Sequence, residues 1–266
     1  MTSTFKWFAG ALASAAAITA TLLAGILWDA PSRNKKPRIE AASTEPEIEP
    51  SPAARPAASV VPSGCSETLI DNFELKPEAG IPTCQGRAGR WYPFNDQDPG
   101  TEQVPRPGAR FLYEAVEQGS ALRTHGRCQA SAPSDSRWCA GIGVDLNNRS
   151  GNASDKRPYS AAARGYTGIR FRARLGPTAV SNEVTLRFPD IHTEPTVGKC
   201  NRCFDDYLIE LQLKPTWEVY TVHWSDLRHL GSTSGDFAQD AIIAIYWRFH
   251  PGATFDLYLD DVEFIR

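Results

Sequence analysis

From residue 65 onward the chain runs in short alternations of apolar and polar residues, broken by Gly, Pro, Asn and Asp. That two-residue period marks strands with one buried face. Gly168–Leu175 is the cleanest run, with Ile169, Phe171 and Ala173 on one side and Arg170, Arg172 and Arg174 on the other. Val184, Leu186 and Phe188 alternate in the same way with Thr185 and Arg187. The pattern predicts strands over 68–75, 110–116, 140–146, 168–175, 184–188, 207–213, 218–224, 242–249 and 255–265. No stretch here sustains an amphipathic helix of three turns, and a single helical turn is expected over 225–230. Many short strands with turn residues between them predict an all-β sandwich.

The last strand carries an irregularity. Phe255, Leu257 and Leu259 alternate with Asp256, Tyr258 and Asp260, but the apolar face then resumes one position late, at Val262 and Phe264. Asp261 falls where a core residue is due. An ionised carboxylate among apolar side chains is costly unless paired or bound to a cation. The slip therefore predicts either a β-bulge that moves Asp261 aside or a structural metal.

The N-terminal quarter follows another pattern. Residues 7–28 form an uncharged, largely apolar run, long enough as a helix to cross a hydrocarbon core of about 30 Å. Trp28-Asp29-Ala30 puts a Trp where a signal-peptide cleavage site needs a small residue, so an uncleaved signal anchor is expected, with a cleaved signal peptide as the alternative. Residues 29–64 hold seven prolines among Ala, Ser and Glu. Such a segment cannot bury enough apolar area to offset its chain entropy, and is expected to be a disordered linker. The organisation is thus 1–28, 29–64 and a folded domain over 65–266.

Charge and cysteines narrow the setting. A net charge of −3 gives no bulk attraction to nucleic acid. Arg33, Lys35, Lys36 and Arg38 follow the apolar run while only Lys6 precedes it, which by the positive-inside rule would keep the domain in the cytoplasm. The six cysteines argue otherwise. All lie from Cys65 onward, an even number that favours disulfides and an oxidising compartment. A Cys200–Cys203 bridge would leave Cys65–Cys84 and Cys128–Cys139 as the other local pairs, one of fifteen possible connectivities. The cysteines carry more weight, and the domain is expected to be extracytoplasmic, either membrane-anchored or secreted. Cys200-Asn201-Arg202-Cys203 also has the spacing of a redox pair or half a zinc site, but a redox pair needs a helix start after a strand, and zinc needs further ligands for which only Asp190, His192 and Asp205 are near.

Several short motifs have a familiar cast. They are Leu69-Ile70-Asp71-Asn72-Phe73-Glu74 at the start of the domain, Gly89-Arg90-Trp91-Tyr92-Pro93-Phe94-Asn95-Asp96, the runs 166–172 and 217–224, and the closing 255–264. Together they resemble the galactose-binding-like jelly rolls, in particular the carbohydrate-binding modules of family 11 and the related domain of complex I intermediate-associated protein 30. The resemblance implies a jelly-roll β-sandwich. It also implies a structural calcium near the first and last strands and, in some members, a β-glucan in the concave cleft of one sheet. On that basis Asp71, Glu74 and Asp261 are the expected calcium ligands, hard oxygen donors on adjacent strands. The cysteines are a departure from the usual family pattern.

A sugar ring offers a face of C–H bonds to a flat aromatic ring and hydroxyls to polar neighbours. The rings singled out are Trp91, Tyr92, Phe94, Tyr207, Trp247 and Phe249, with Arg90, Asn95 and Asp96 beside the first cluster and Asp190, His192 and Arg248 beside the second. The expected ligand contacts are Trp91, Tyr92, Phe94, Asp190, Tyr207, Trp247 and Arg248. A glycosidase needs two acids flanking one bond, and nothing distinguishes a pair among Asp190, Glu194, Asp205, Asp206 and Glu210. The run 231–235 has Thr where a G-x-S-x-G elbow needs its Ser. The sequence therefore predicts a non-catalytic module that binds polysaccharide or a cell-surface glycan, tethered to the membrane through the N-terminal segment. A structural or protein-interaction domain of the same fold is the alternative, and a glycoside hydrolase is the more distant one.

Overall fold

In the computed structural model, residues 66–75, 80–130, 138–197, 199–229, 231 and 235–266 are described. The expected signal anchor, the linker and Cys65 lie outside them. Twelve strands follow in order: β1 Leu69–Asp71, β2 Trp91–Asn95, β3 Glu102–Val104, β4 Leu112–Val116, β5 Gly119–Arg127, β6 Ala140–Asp145, β7 Gly168–Leu175, β8 Glu183–Phe188, β9 Tyr207–Gln212, β10 Glu218–His223, β11 Ala244–Arg248 and β12 Thr254–Ile265. The only helical pieces among the described residues are 3-10 turns, one of them at Trp224–Asp226 beside the expected helical turn.

The strands form two antiparallel sheets. One runs β10-β7-β12-β5-β3, with β1 added against β12 and β4 against β5, and the other runs β2-β6-β11-β8-β9. Their inner faces meet in one core. Trp91, Ile142, Val144, Leu186, Ile245 and Trp247 come from the five-stranded sheet, and Leu122, Ile169, Phe171, Phe255, Leu257 and Phe264 from the seven-stranded one. Trp247 sits at the centre, 5.6 Å from the Trp91 ring and 5.4 Å edge-on to Phe171. This is the all-β sandwich of the sequence pattern.

Strands β2, β3 and β5 were not foreseen, each for a local reason. Pro93 interrupts β2, which is tolerated because β2 is the edge of its sheet. β3 has three residues. In β5 the inward positions opposite Leu259, Leu257 and Phe255 are Leu122, Thr124 and Gly126, so the buried face does not look apolar.

The irregularity in β12 is a bulge. Its pairing with β7 shifts register between Asp260 and Glu263, and Asp261 takes a positive φ of 46°. The Asp261 side chain swings out toward Arg172, 3.4 Å away. Asp260 becomes the buried acid, accepting a 2.8 Å bond from the Asp261 N–H. Burial, then the neighbouring Asp261 charge, pushes its carboxyl up to about 7.

The expected calcium ligands do not converge. Asp71 accepts from Phe73 N and Trp91 Nε1, both at 2.9 Å, and burial pushes its carboxyl up to about 6 against those bonds. Glu74 accepts from Ser120 N at 2.9 Å. Among the described residues no three His, Cys, Asp or Glu side chains stand close enough to hold a metal ion. Hydrogen bonds to these carboxylates pin the ends of β1, β5 and β12.

The start of the domain is clasped by Arg87, which is fully buried. Its guanidinium donates to the carbonyls of Ser66, Glu67 and Leu69 at 2.8–3.0 Å. Cys128–Cys139 and Cys200–Cys203 are disulfides. Cys84 is also disulfide-bonded.

Candidate functional site

Strand parity decides which rings can meet a ligand. On β2, Trp91 and Pro93 point into the core while Tyr92 and Phe94 point out. On β11, Ile245 and Trp247 point in, and Tyr246 and Arg248 point out. Between these strands lies β6, whose outward positions are Gly141, Gly143 and Asp145. The missing side chains matter. A Cβ on Gly141 would stand 2.7 Å from Phe94 Cζ, and one on Gly143 would stand 2.7 Å from Tyr246 Cδ1 and 3.2 Å from Tyr92 Cζ. The rings of the neighbouring strands lie down across β6 because it offers them bare backbone.

The result is a half-buried aromatic platform on the outer face of the five-stranded sheet. Tyr92, Tyr246 and Phe94 form a triangle, with Tyr92 6.3 Å from Tyr246, Phe94 5.1 Å from Tyr246 and 6.2 Å from Tyr92, and Trp138, from the loop before β6, extends the group 5.6 Å beyond Phe94. Trp138 lies inside the loop closed by the Cys128–Cys139 bond, next to Cys139, and is fixed by its own N–H, which donates to Asp96 Oδ2 at 3.2 Å.

One end of the group is a polar cluster. Tyr92 Oη donates to Asp145 Oδ1 at 2.8 Å and Tyr246 Oη to Glu194 Oε2 at 3.1 Å. Lys156 Nζ sits among them, 3.1 Å from Asp145, 3.7 Å from Glu194, and 3.2 and 3.4 Å from the two tyrosine oxygens. Burial, with the nearby carboxylates, holds both tyrosines well above the ordinary phenol range, so each stays protonated and donating. Glu194 also accepts from Thr196 Oγ1 at 2.7 Å, and Asp145 from Asn148 Nδ2 at 2.7 Å. Every carboxylate of the cluster is thus committed to a partner. The arrangement supplies fixed donors and acceptors at the edge of the rings.

The other end is cationic. Arg248 lies over the Trp138 ring, 5.3 Å from its centre, and donates from Nε to the Trp138 carbonyl at 3.2 Å. Arg187, opposite Tyr246 on β8, holds Asp206 at 3.1 Å and the Phe204 carbonyl at 2.9 Å. Burial raises the Asp206 carboxyl above its usual range even with Arg187 beside it.

Of the expected contacts, the structure brings together Tyr92, Phe94 and Arg248. The others lie elsewhere. Trp247 is fully buried and Trp91 nearly so, each one residue out of phase with the platform. Tyr207 faces Phe237 and His229 at 5.3 Å each, and its hydroxyl bonds to the Gly235 carbonyl. Asp190 is fully buried and accepts from the His192 and Ala238 backbone N–H groups at 2.8 and 3.0 Å, a loop staple. Sequence reading missed Tyr246, Trp138, Asp145, Lys156 and Arg187. The signal available was Gly141-Ile142-Gly143-Val144-Asp145, an alternation with glycine on one face, which leaves room for rings from the neighbours. A cavity of about 620 Å³ between Asn95, Gln97, Gln103 and Val104 lies at the rim and includes none of the platform rings.

No family model matches the chain, and no curated protein matches it. Solved structures do. A family 11 carbohydrate-binding module of a cellulosomal cellulase of Clostridium thermocellum is 11% identical, with a TM-score of 0.47 over 76% of this chain and 95% of that one. A second structure of the family 11 module from that organism, in complex with a β-1,3-1,4-mixed-linked tetrasaccharide, matches with the same identity and TM-score over 76% of this chain and 96% of that one. A family 30 module of another cellulosomal cellulase of Clostridium thermocellum is 10% identical, with a TM-score of 0.43 over 76% of this chain and 94% of that one.

Proposed function

We propose that this domain binds carbohydrate, without reaction, on the outer face of the five-stranded sheet. The observation that carries the reading is the platform: Tyr92, Tyr246 and Phe94 grouped in a triangle over the bare backbone of Gly141 and Gly143, with Trp138 extending it beyond Phe94. A patch of half-buried rings suits the C–H faces of sugars, and the largely buried side chains of Asp145, Lys156 and Glu194 beneath one end hold Tyr92 and Tyr246 in place for it. A binding role fits the carboxylates better than a hydrolytic one. Asp145, Glu194 and Asp206 each hold a cation or a hydroxyl of the protein, whereas hydrolysis needs a pair free to take and give a proton across one bond.

The disulfides suit an oxidising compartment. With the apolar run 7–28 and the proline-rich 29–64, this gives a module displayed outside the cytoplasm on a membrane-attached stalk. Among the described residues no helix is long and apolar enough to cross a membrane. Binding of the full chain to an immobilised glycan panel, checked by calorimetry on each positive, tests the proposal. Retention of one or more glycans, lost on Phe94→Ala, is the expected result; silence across neutral and acidic glycans alike refutes it.

A further inference from the structure

The cationic end of the platform is under-partnered in a specific way. Arg248 has five N–H donors. Its one hydrogen bond is from Nε to the Trp138 carbonyl, and among the described residues no carboxylate lies within ion-pair distance of it. Its Nη1 and Nη2 edge, the fork that matches a carboxylate in bidentate fashion, is therefore uncommitted. The side chain is half-buried, over Trp138 and next in line to Phe94. Arg187 stands near enough that its charge, after burial itself, holds the Arg248 guanidinium down to about 10. The more distant carboxylates of Asp206, which is paired with Arg187, and Asp96 offset only part of this. Two guanidinium groups set at the end of a group of rings, one with its fork open, form a receptor for a planar anion attached to a stacking ring.

Resting on the carbohydrate reading, we infer that the glycan taken by this face is acidic, with a uronic acid whose carboxylate is received by Arg248 beside Arg187 while its ring packs on Phe94 and Trp138. A neutral glucan would leave the fork unmatched in a half-desolvated setting. A carboxylate meets it with two parallel charge-assisted bonds.

The test is calorimetry on the full chain with matched oligosaccharides: oligogalacturonate and alginate oligomers, the methyl ester of the same oligogalacturonate, a mixed-linked β-glucan oligomer, and a sulfated carrageenan oligomer. The methyl ester keeps the ring and removes the charge. At least one free uronate oligomer is expected to bind about ten- to a hundredfold more tightly than any neutral one, with the preference lost on methylation. Arg248→Met should abolish that preference, and Arg248→Lys, which keeps the charge without the fork, should recover only part of it, both with an unchanged melting temperature. Equal or tighter binding of the neutral glucan overturns the inference and leaves carbohydrate binding intact. Preference for the sulfated oligomer overturns the carboxylate assignment. Failure of every oligomer overturns the inference, and carbohydrate binding falls with it if the glycan panel is silent too.

Discussion

Phe94 and Trp247 face opposite sides of the same sheet, and exchanging each for Ala separates ligand contact from folding. Trp247 is fully buried and packed on Trp91 and Phe171 at 5.6 and 5.4 Å. Removing a buried indole leaves a cavity that the surrounding strands fill only in part, at a cost of about 3–5 kcal/mol. For a domain of this size that corresponds to a fall of about 6–20 °C in melting temperature. Phe94 is half-buried on the outer face, against neighbouring rings and the Gly141 backbone, so Phe94→Ala should cost only about 1 kcal/mol of stability. Its cost in binding is larger. Loss of one stacking ring from the middle of the group removes about 1–2 kcal/mol, or about five- to thirtyfold in Kd. Thermal melts by circular dichroism and titration calorimetry with the tightest oligomer of the panel give both numbers for both variants. If Phe94→Ala melts as low as Trp247→Ala and keeps full affinity, the assignment of faces is wrong.

Three further outcomes follow. Gly143→Ala, which brings a methyl group to 2.7 Å from the Tyr246 ring, should lift that ring off β6 and weaken glycan binding at least fivefold by calorimetry, roughly the contribution of one ring. Asp260 has its folded carboxyl raised to about 7 from an unfolded value near 4, so the folded state binds the extra proton between those values and stability falls as pH rises through that window. Asp260→Asn should therefore stabilise the fold at pH 8 by on the order of a few kcal/mol, raise its melting temperature there, and flatten the pH dependence between pH 5 and 8; a variant that melts lower at pH 8 would refute this. Replacing Cys128 and Cys139 together by Ser opens a loop of sequence separation 11, which should cost about 2–3 kcal/mol in chemical denaturation and loosen Trp138, lowering affinity more than the same change at Cys200 and Cys203, whose loop carries none of the four rings.

What could be read from the sequence was the periodicity, and what could not was phase. Strands β7, β8 and β12 alternate cleanly because both their faces have definite surroundings, core on one side and arginines or acids on the other. The bulge at Asp261 was readable for the same reason: a slip in a strict period has few geometric explanations. The candidate site was harder. Tyr246 and Trp247 are adjacent aromatics, and only the register of β11 against β6 and β8 says which faces water. Large rings attracted attention at Trp91 and Trp247, whereas the platform depends on two glycines whose contribution is the space they leave. Trp138 and Lys156 come from loops, and their approach to the sheet depends on long-range folding that no local pattern records.

The pairing of β1 with β12 puts the two ends of the domain at one corner, with Phe264 N bonded to Thr68 O at 2.9 Å and Arg266 paired to Glu67. This gives the domain a mechanical grain. A pull between its two ends meets the short β1–β12 ladder end-on and peels it one rung at a time. A pull between residue 66 and a ligand held on the five-stranded sheet takes another route, through the Arg87 guanidinium and then Ala88, whose backbone is bonded to Leu146 and Asn148 beyond β6. That path loads several bonds in parallel. Anchored at its N-terminal side and held by its ligand, the domain should bear more tension than when gripped by its own two ends.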